Sequence, residues 1–337
     1  MASSTFGQKR SDSSAAGAGR LRADLHVHSR YSRPCHLGRL GGASAPGAPD
    51  EIDRAARARG MDLVTITDRD TIDGCLDYLD RHPKTRHFFI SVEITARDPR
   101  HGARLHVLVY GIDEAQHREL ARRRNDVREL LSYAHAEGIP ASLGPWFGDW
   151  RGEAPAEGFI RETLALFRLF EVANGSFSAD HNRMALRLAH EARGENEFGV
   201  TAGSGAHGPA RAGRTGTMAE GGSREEFLRA LREGRAGVAG EPGSRWASVA
   251  DLYRVLRHDE KKLAGSAPLL IRHGLERVRL GARLRSGHRR LDQIEVHRFQ
   301  EKTRSYRASV TPGSDPDGAA DSVVTPSQHA SSITTIE

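Results

Sequence analysis

Cysteine is scarce in this sequence, since only Cys35 and Cys75 occur among 337 residues. Two cysteines cannot form a disulfide framework, and their scarcity is typical of a reducing compartment, so we predict a cytoplasmic protein. The sequence has no run of about 18 apolar residues, so we expect no transmembrane helix. The stretch Met1–Arg20 is rich in Ser, Gly and Ala without an apolar centre, and we therefore expect no signal peptide.

Apolar residues are also few, at 37% of the sequence, which is low for a chain that folds along its whole length. We therefore predict disorder in residues 1–22 and in residues 305–337, which are rich in Ser, Thr, Pro and Asp. The net charge is +6 and the isoelectric point is about 9.6. Arg, Ala and Gly are all abundant, so the basic charge has two possible origins. One is a bias in genomic base composition, and the other is selection for binding a polyanionic partner.

Short apolar runs alternate with amphipathic stretches between residues 23 and 245. This alternation predicts one α/β domain built on a parallel sheet, open or closed into a barrel. The seven predicted strands are Asp24–Val27, Leu63–Thr67, Phe88–Ile94, Leu105–Tyr110, Ile139–Leu143, Leu169–Val172 and Gly199–Ala202. The predicted helices are Glu51–Arg59, Glu114–Glu137, Glu157–Phe167, Asp180–Ala192 and Ser223–Arg232.

Polar residues of the kind that carry chemistry follow these apolar runs. His26 and His28 come at the first strand, Asp68 after the second, Glu93 within the third and His207 after the seventh. In α/β barrels and open α/β sheets, sites lie at the carboxyl ends of the strands. We therefore expect these side chains to share one site.

The pair His26 and His28 is the most informative feature of the chain. Side chains two residues apart on a strand point to the same face, so two imidazoles at this spacing can hold one metal ion. The alternative, on this motif alone, is a pair of surface or core histidines.

Five blocks of the sequence, in order, resemble the PHP (polymerase and histidinol phosphatase) family over about residues 23–240. The blocks are Asp24-Leu25-His26-Val27-His28-Ser29, Ile66-Thr67-Asp68-x-Asp70-Thr71-x-Asp73-Gly74, Val92-Glu93-Ile94, Leu105-His106-Val107-Leu108-Val109-Tyr110-Gly111 and Gly203-Ser204-x-Ala206-His207. The resemblance implies a distorted barrel of seven βα units, up to three metal ions and, for many members, phosphoester hydrolysis.

The resemblance also implies roles for individual residues. The residues at metal-ligand positions are His26, His28, Glu93, His106 and His207. Imidazole and carboxylate ligands suit zinc or manganese, and such an ion lowers the pKa of its water towards about 7. His207 and Asp68 are the candidate catalytic residues, and Arg69 and Arg214 are the candidate substrate-binding residues. A structural role is the alternative for each of them.

The chain departs from the family pattern at four expected ligand positions. These fall near Arg33 and at Arg69, Gly144 and Gly205. The remaining ligands predict one divalent ion, at most two. A fixed +1 charge at Arg69, about 4 Å from a divalent ion, would repel it by roughly 8 kcal/mol at an effective dielectric constant of about 20. Arg69 can instead bind a phosphate or carboxylate, or form a salt bridge with Asp68, Asp70 or Glu93.

We therefore interpret the chain as a metal-dependent phosphoesterase of PHP type with an incomplete metal site and weak activity. The alternative is a non-catalytic, PHP-derived module that recognises an anionic ligand through Arg69. In both interpretations the partner is a phosphorylated or anionic small molecule. Residues 246–304 are predicted to form a basic helical extension, and nucleic acid binding through Arg272–Arg304 is the less favoured alternative.

Overall fold

The computed structural model describes residues 19–33, 47–144, 162–177, 179–193 and 196–240. These residues form nine strands, six α-helices and a short 3₁₀ turn at Leu164–Leu166. The strands are β1 (Arg20–Asp24), β2 (Leu63–Ile66), β3 (Phe88–Asp98), β4 (Ala103–Tyr110), β5 (Ala141–Leu143), β6 (Leu169–Asn174), β7 (Gly199–Gly203), β8 (Thr215–Glu220) and β9 (Ala236–Gly240). The helices are α1 (Pro49–Ala58), α2 (Asp73–Arg81), α3 (Glu114–Arg123), α4 (Val127–Ala136), α5 (Ala179–Arg193) and α6 (Arg224–Arg232).

Strands β1 to β8 close into a barrel, and β9 pairs with β8. Closure occurs where β1 and β8 run antiparallel, with Ala23 opposite Thr217. The α/β barrel expected from the sequence is therefore present, and β2 to β7 overlap the predicted strands in this order. The first predicted strand, Asp24–Val27, begins too late, since it shares only Asp24 with β1. The ring, however, has eight strands instead of seven.

The sheet is mixed and not uniformly parallel, which corrects the expectation of a parallel sheet. Strands β1 to β3 and β5 to β7 pair in parallel, whereas β4 is antiparallel to both β3 and β5. The physical reason lies in the connection between β3 and β4. Strand β3 ends at Asp98 and β4 begins at Ala103. So short a connection leaves no room for the crossover helix that a parallel pair requires.

Strands β8 and β9 were not predicted because their composition gives little strand signal. They read Thr-Gly-Thr-Met-Ala-Glu and Ala-Gly-Val-Ala-Gly, with few of the large β-branched and aromatic residues that favour strands. Their pairing is set by neighbouring strands and by burial, since most of their residues are inaccessible to solvent.

The predicted helix Glu114–Glu137 is wrong as a single element, because it divides into α3 and α4. Asp126 interrupts it by accepting a hydrogen bond from the amide of Arg128 at 2.9 Å, an N-cap that starts a new helix. The predicted helix Ser223–Arg232 is confirmed as α6, and Ser223 is its N-cap, because its Oγ accepts the Glu226 amide at 3.2 Å. Among the described residues, no helix is long and apolar enough to cross a membrane. The predicted basic helical extension, residues 246–304, lies outside the described residues, and so does its stretch Arg272–Arg304.

Strand β4 illustrates how the core positions the site. Alternate residues Leu105, Val107 and Val109 pack in an apolar cluster with Leu120 of α3 and Leu130 of α4. The intervening residues, which include His106, face the other side of the strand. Burial of the apolar face therefore fixes the direction of the His106 side chain.

Candidate metal site

The two histidines predicted to converge at the end of the first strand do so. His26 and His28 follow β1, where Val27 forms a parallel bridge with Ala206 and thereby prolongs the extended backbone. The two Nε2 atoms lie 3.2 Å apart, and both residues are almost completely buried.

Glu93 on β3 completes the cluster from the opposite side. Its Oε1 lies 3.9 Å from Nε2 of His26, and its Oε2 lies 3.5 Å from Nε2 of His28. The ligand atoms of the three residues all lie within 4.8 Å of one another. Two imidazoles and one carboxylate form the ligand set of many catalytic zinc sites, which keep a further position open.

Two cationic or proton-donating groups also contact the Glu93 carboxylate. Nδ1 of His106 lies 2.6 Å from Oε1, and Nε of Arg69 lies 3.0 Å from Oε2. Burial by itself would raise the pKa of Glu93, but Arg69 and His106 outweigh burial and hold that pKa well below its usual range. Glu93 is therefore an anion at neutral pH.

His207 stacks on His28, with ring centroids 4.8 Å apart and the ring planes 29° from parallel. Burial lowers the pKa of His28 well below its usual range, and the charge of Arg69 lowers it further. The same two causes lower the pKa of His207 to about 3. Both imidazoles are therefore neutral at pH 7, which is the form that binds metal ions.

Glu171 was not among the site residues expected from the sequence, although it contacts His26 directly. Both of its carboxylate oxygens lie 3.0 Å from Nδ1 of His26. Nδ2 of Asn174 donates a hydrogen bond to Oε1 at 3.0 Å. The sequence does contain a signal, because Phe170-Glu171-Val172 places a carboxylate inside an apolar strand, where a buried charge requires a partner.

Burial lowers the pKa of His26, but the Glu171 carboxylate raises it, and the raising effect is the larger overall. The Nδ1 proton of His26 is therefore held by Glu171. This contact leaves Nε2 as the atom that faces His28 and Glu93.

Asp68 lies beside the cluster and anchors the loop after β1. Its two oxygens accept hydrogen bonds from the amide and the hydroxyl of Ser29, at 2.6 and 2.5 Å. Burial raises the pKa of Asp68 to about 7. Its predicted catalytic role stays a prediction. The same holds for the substrate-binding role of Arg214, which is exposed in the segment before β8.

Asp24 at the end of β1 joins three segments of the barrel. Its Oδ1 accepts hydrogen bonds from the amides of His26 at 3.2 Å and Ser204 at 2.8 Å. Its Oδ2 accepts the amide of Gly213 at 2.7 Å. The carboxylate thus ties the backbone at His26 to the segments that contain Ser204 and Gly213.

The positions of the missing ligands differ in how they could accept a side chain. Gly144 donates its amide to the carbonyl of His106 at 2.7 Å and so lies beside the site. Gly205 has a φ of +57°, and a Cβ atom there would collide with the side-chain amide of Asn174 and approach Oγ of Ser176 to 2.9 Å. Arg33 is exposed, and its amide donates to the carbonyl of Arg69 at 3.4 Å.

A family profile described as PHP-associated matches residues 179–236. The matched segment contains α5, β7, β8, α6 and His207, and it adjoins the cluster described above. The matched segment is less than half of the chain, so the profile shows a likeness to PHP-associated proteins in this region alone. The retained cluster and the departures from the family pattern at Arg69, Gly144 and Gly205 lie in the same barrel.

Several solved structures resemble this chain in fold, each with a sequence identity below 20% and a TM-score below 0.5. A lesion-specific endonuclease from Pyrococcus furiosus shares 19% identity and a TM-score of 0.44, over 66% of this chain and 59% of its own. An amidohydrolase from Chromobacterium violaceum has 18% sequence identity and a TM-score of 0.42, over 62% of this chain and 96% of its own. A Bifidobacterium adolescentis protein described as a metal-dependent phosphoesterase has 13% sequence identity and a TM-score of 0.40, over 63% of this chain and 96% of its own. No curated protein matches the sequence.

Proposed function

We propose that this protein is a PHP-type, metal-dependent hydrolase of phosphoesters that uses one divalent ion, at most two, and has weak activity. The observation that carries the proposal is the buried convergence of His26, His28 and Glu93. Zinc and manganese suit this mixture of imidazole and carboxylate ligands. A phosphorylated small molecule is the proposed class of substrate.

The cluster fits a metal ion on its own chemistry. Oε2 of Glu93 is buried and, among the described residues, forms no hydrogen bond of good geometry, although Nε of Arg69 lies 3.0 Å away as an ion-pair partner. The Nε2 atoms of His26 and His28 face the same carboxylate. A divalent ion bound by His26, His28 and Glu93 would supply Lewis-acid chemistry, polarising a phosphoryl oxygen and activating water near neutral pH.

The remaining residues have proposed roles around that cluster. The guanidinium of Arg69 would bind a phosphoryl oxygen of the substrate. His207, stacked on His28, is neutral and would serve as a ligand or accept a proton from water. His106 would either orient Glu93 through its Nδ1 contact or help to bind a second ion. Arg214 would contact the anionic substrate farther from the cluster.

Metal binding and hydrolysis by the purified full chain test the proposal. After chelator treatment, zinc or manganese is titrated by calorimetry and hydrolysis of bis(p-nitrophenyl) phosphate is followed. We expect binding and slow, metal-dependent hydrolysis, both abolished in His28→Ala and unchanged in His135→Ala on α4. Hydrolysis that persists in His28→Ala with chelator present would contradict the proposal.

A second candidate, a non-catalytic module that binds an anionic ligand, is favoured by the position of Arg69. Its side chain is only 13% exposed and brings a permanent positive charge to Glu93. Calorimetric titration of the metal-free protein with inorganic phosphate tests this candidate. We expect binding to be lost in Arg69→Gln and kept in Arg97→Gln, which changes an exposed arginine on β3. Phosphate binding without hydrolysis at any metal concentration would favour the module over the enzyme.

A further inference from the structure

Glu171 is a buried acid on β6, 145 residues away from the histidine that it contacts. It is about 3% exposed, and a carboxylate at such a depth is costly unless it is paired. Both oxygens lie at the same 3.0 Å from Nδ1 of His26, so the carboxylate faces the imidazole squarely.

We propose that Glu171 is the positioning residue of the metal site. By accepting a hydrogen bond from Nδ1–H of His26, Glu171 fixes the orientation and the tautomer of the imidazole. The lone pair of Nε2 then points towards His28 and Glu93. The proposal rests on the proposed function, because positioning of this kind is useful to a residue that binds metal. Glu171 itself does not touch the ion or the substrate.

Asn174 holds Glu171 in this orientation. Its Oδ1 accepts the amide of Ser176 at 2.9 Å, which identifies the other end of the side chain as the NH₂ group. That group donates to Oε1 of Glu171 at 3.0 Å. The backbone of Asn174 is tied in turn to Asn182 of α5, whose Oδ1 accepts the Asn174 amide at 3.1 Å.

Gly205 leaves the space that this arrangement needs. A Cβ atom at position 205 would collide with the side-chain amide of Asn174. The glycine thus allows Asn174 to reach Glu171.

The two histidines of the pair are held unequally. Among the described residues, Nδ1 of His28 faces the hydroxyl of Ser32, at 3.3 Å, and that hydroxyl also accepts the amide of Arg69. A hydroxyl can donate or accept, so it does not select a tautomer, whereas a carboxylate only accepts. The positioning is therefore specific to His26.

Glu171→Gln, which keeps the size of the side chain and removes its charge, is the first test. We expect zinc affinity, measured by calorimetry on the full chain, to fall by about 10- to 100-fold, the usual effect of losing such a partner. Glu220→Gln on β8, which changes an exposed acid, is the matched control and should bind as the wild type does. Asn174→Ala is a second variant, expected to lose less affinity than Glu171→Gln, and thermal melting checks that each variant folds.

The tautomer of His26 in the metal-free protein provides a readout that a merely structural role would not move. Long-range ¹H–¹⁵N correlation spectra, recorded at alkaline pH where the imidazole is neutral, should show His26 protonated at Nδ1 in the wild type. In Glu171→Gln we expect a mixture or the Nε2-protonated form, with partial return in Glu171→Asp. An unchanged tautomer together with wild-type zinc affinity in Glu171→Gln would overturn the proposal. A wild-type protein that binds no metal would overturn the proposed function instead, and the spectra would still decide the role of Glu171.

Discussion

The Arg69 side chain lies against Glu93, with its Nε atom 3.0 Å from Oε2 of the carboxylate. The contact joins a fixed cation to one of the three candidate ligands. Arg69 would therefore compete with a bound metal ion for the same oxygen. It also stabilises the ionised form of Glu93 when no ion is present.

We expect Arg69→Gln to bind zinc or manganese more tightly than the wild type. The change removes a positive charge whose repulsion of a divalent ion, about 8 kcal/mol at 4 Å in a dielectric of about 20, is an upper bound before relaxation. An affinity gain of tenfold or more in calorimetry is the expected result. Arg97→Gln is the control, and equal or weaker metal binding by Arg69→Gln would show that the guanidinium does not oppose the ion.

The stoichiometry of metal binding should be one ion per chain, at most two. Three ligands converge at one place, whereas His106 is engaged with Glu93 and its neighbour Gly144 offers no side chain. Elemental analysis after dialysis measures the number directly. Three tightly held ions per chain would contradict this assignment of ligands.

Asp68→Asn should change how stability depends on pH. The pKa of Asp68 is raised from 3.8 to about 7, so the folded state keeps a proton that the unfolded state releases. The contribution of Asp68 to the free energy of unfolding is complete below pH 3.8 and is lost as pH rises to 7. The loss is about 1.4 kcal/mol per pH unit at most. Urea unfolding at pH 4, 5.5 and 7.5 should therefore show the variant gaining stability relative to the wild type as pH rises.

Asp98→Asn is the matched control for that experiment. Hydrogen bonds from Thr163, His101 and Arg128 outweigh burial and lower the pKa of Asp98 to about 2, so its titration lies below this range of pH. The difference between Asp98→Asn and the wild type should stay constant from pH 5.5 to 7.5. A constant difference for Asp68→Asn as well would contradict the raised pKa.

Gly205→Ala should be more damaging than Gly102→Ala, although both glycines have positive φ angles of +57° and +64°. A Cβ atom at position 102 meets nothing within 4 Å, so that variant should lose about 1 kcal/mol from backbone strain alone. At position 205 the added atom collides with Asn174, so we expect a larger loss and weaker zinc binding. Urea unfolding measures the stability and calorimetry measures zinc binding. Equal losses of stability in the two variants would mean that Asn174 can move aside without destabilising the protein.

The sequence predicted the parts of the fold that carry strong periodic signals. The first seven strands and the helices near α1, α5 and α6 follow from apolar runs and a capping serine. The eighth and ninth strands were missed because Thr, Gly and Ala give weak strand propensity and their pairing depends on the closed ring. The antiparallel orientation of β4 was missed because the predicted strands end at Ile94 and begin again at Leu105. The observed strands reach Asp98 and Ala103, which leaves a connection too short for a parallel crossover.

The candidate site divides in the same way. His26, His28 and Glu93 could be found because their spacing and their positions on strands imply convergence. Glu171 was missed because a carboxylate in an apolar strand indicates that a partner is needed but does not identify His26, which is 145 residues away, as that partner. Likewise, only the backbone angle of Gly205 and its proximity to Asn174 show that this position is filled by a neighbour.

The hydrogen bonds of Asp24 have a consequence for the order in which the molecule folds. One carboxylate near the start of the barrel is satisfied by amides at Ser204 and Gly213, about 180 and 189 residues farther along the chain. Contacts of such long range form late, because the intervening chain must first be closed into a loop. During synthesis on the ribosome, Asp24 emerges early, but its hydrogen bond with the Gly213 amide can form only after Gly213 has left the exit tunnel. A chain released or cleaved before that residue would contain both imidazoles but lack this bond.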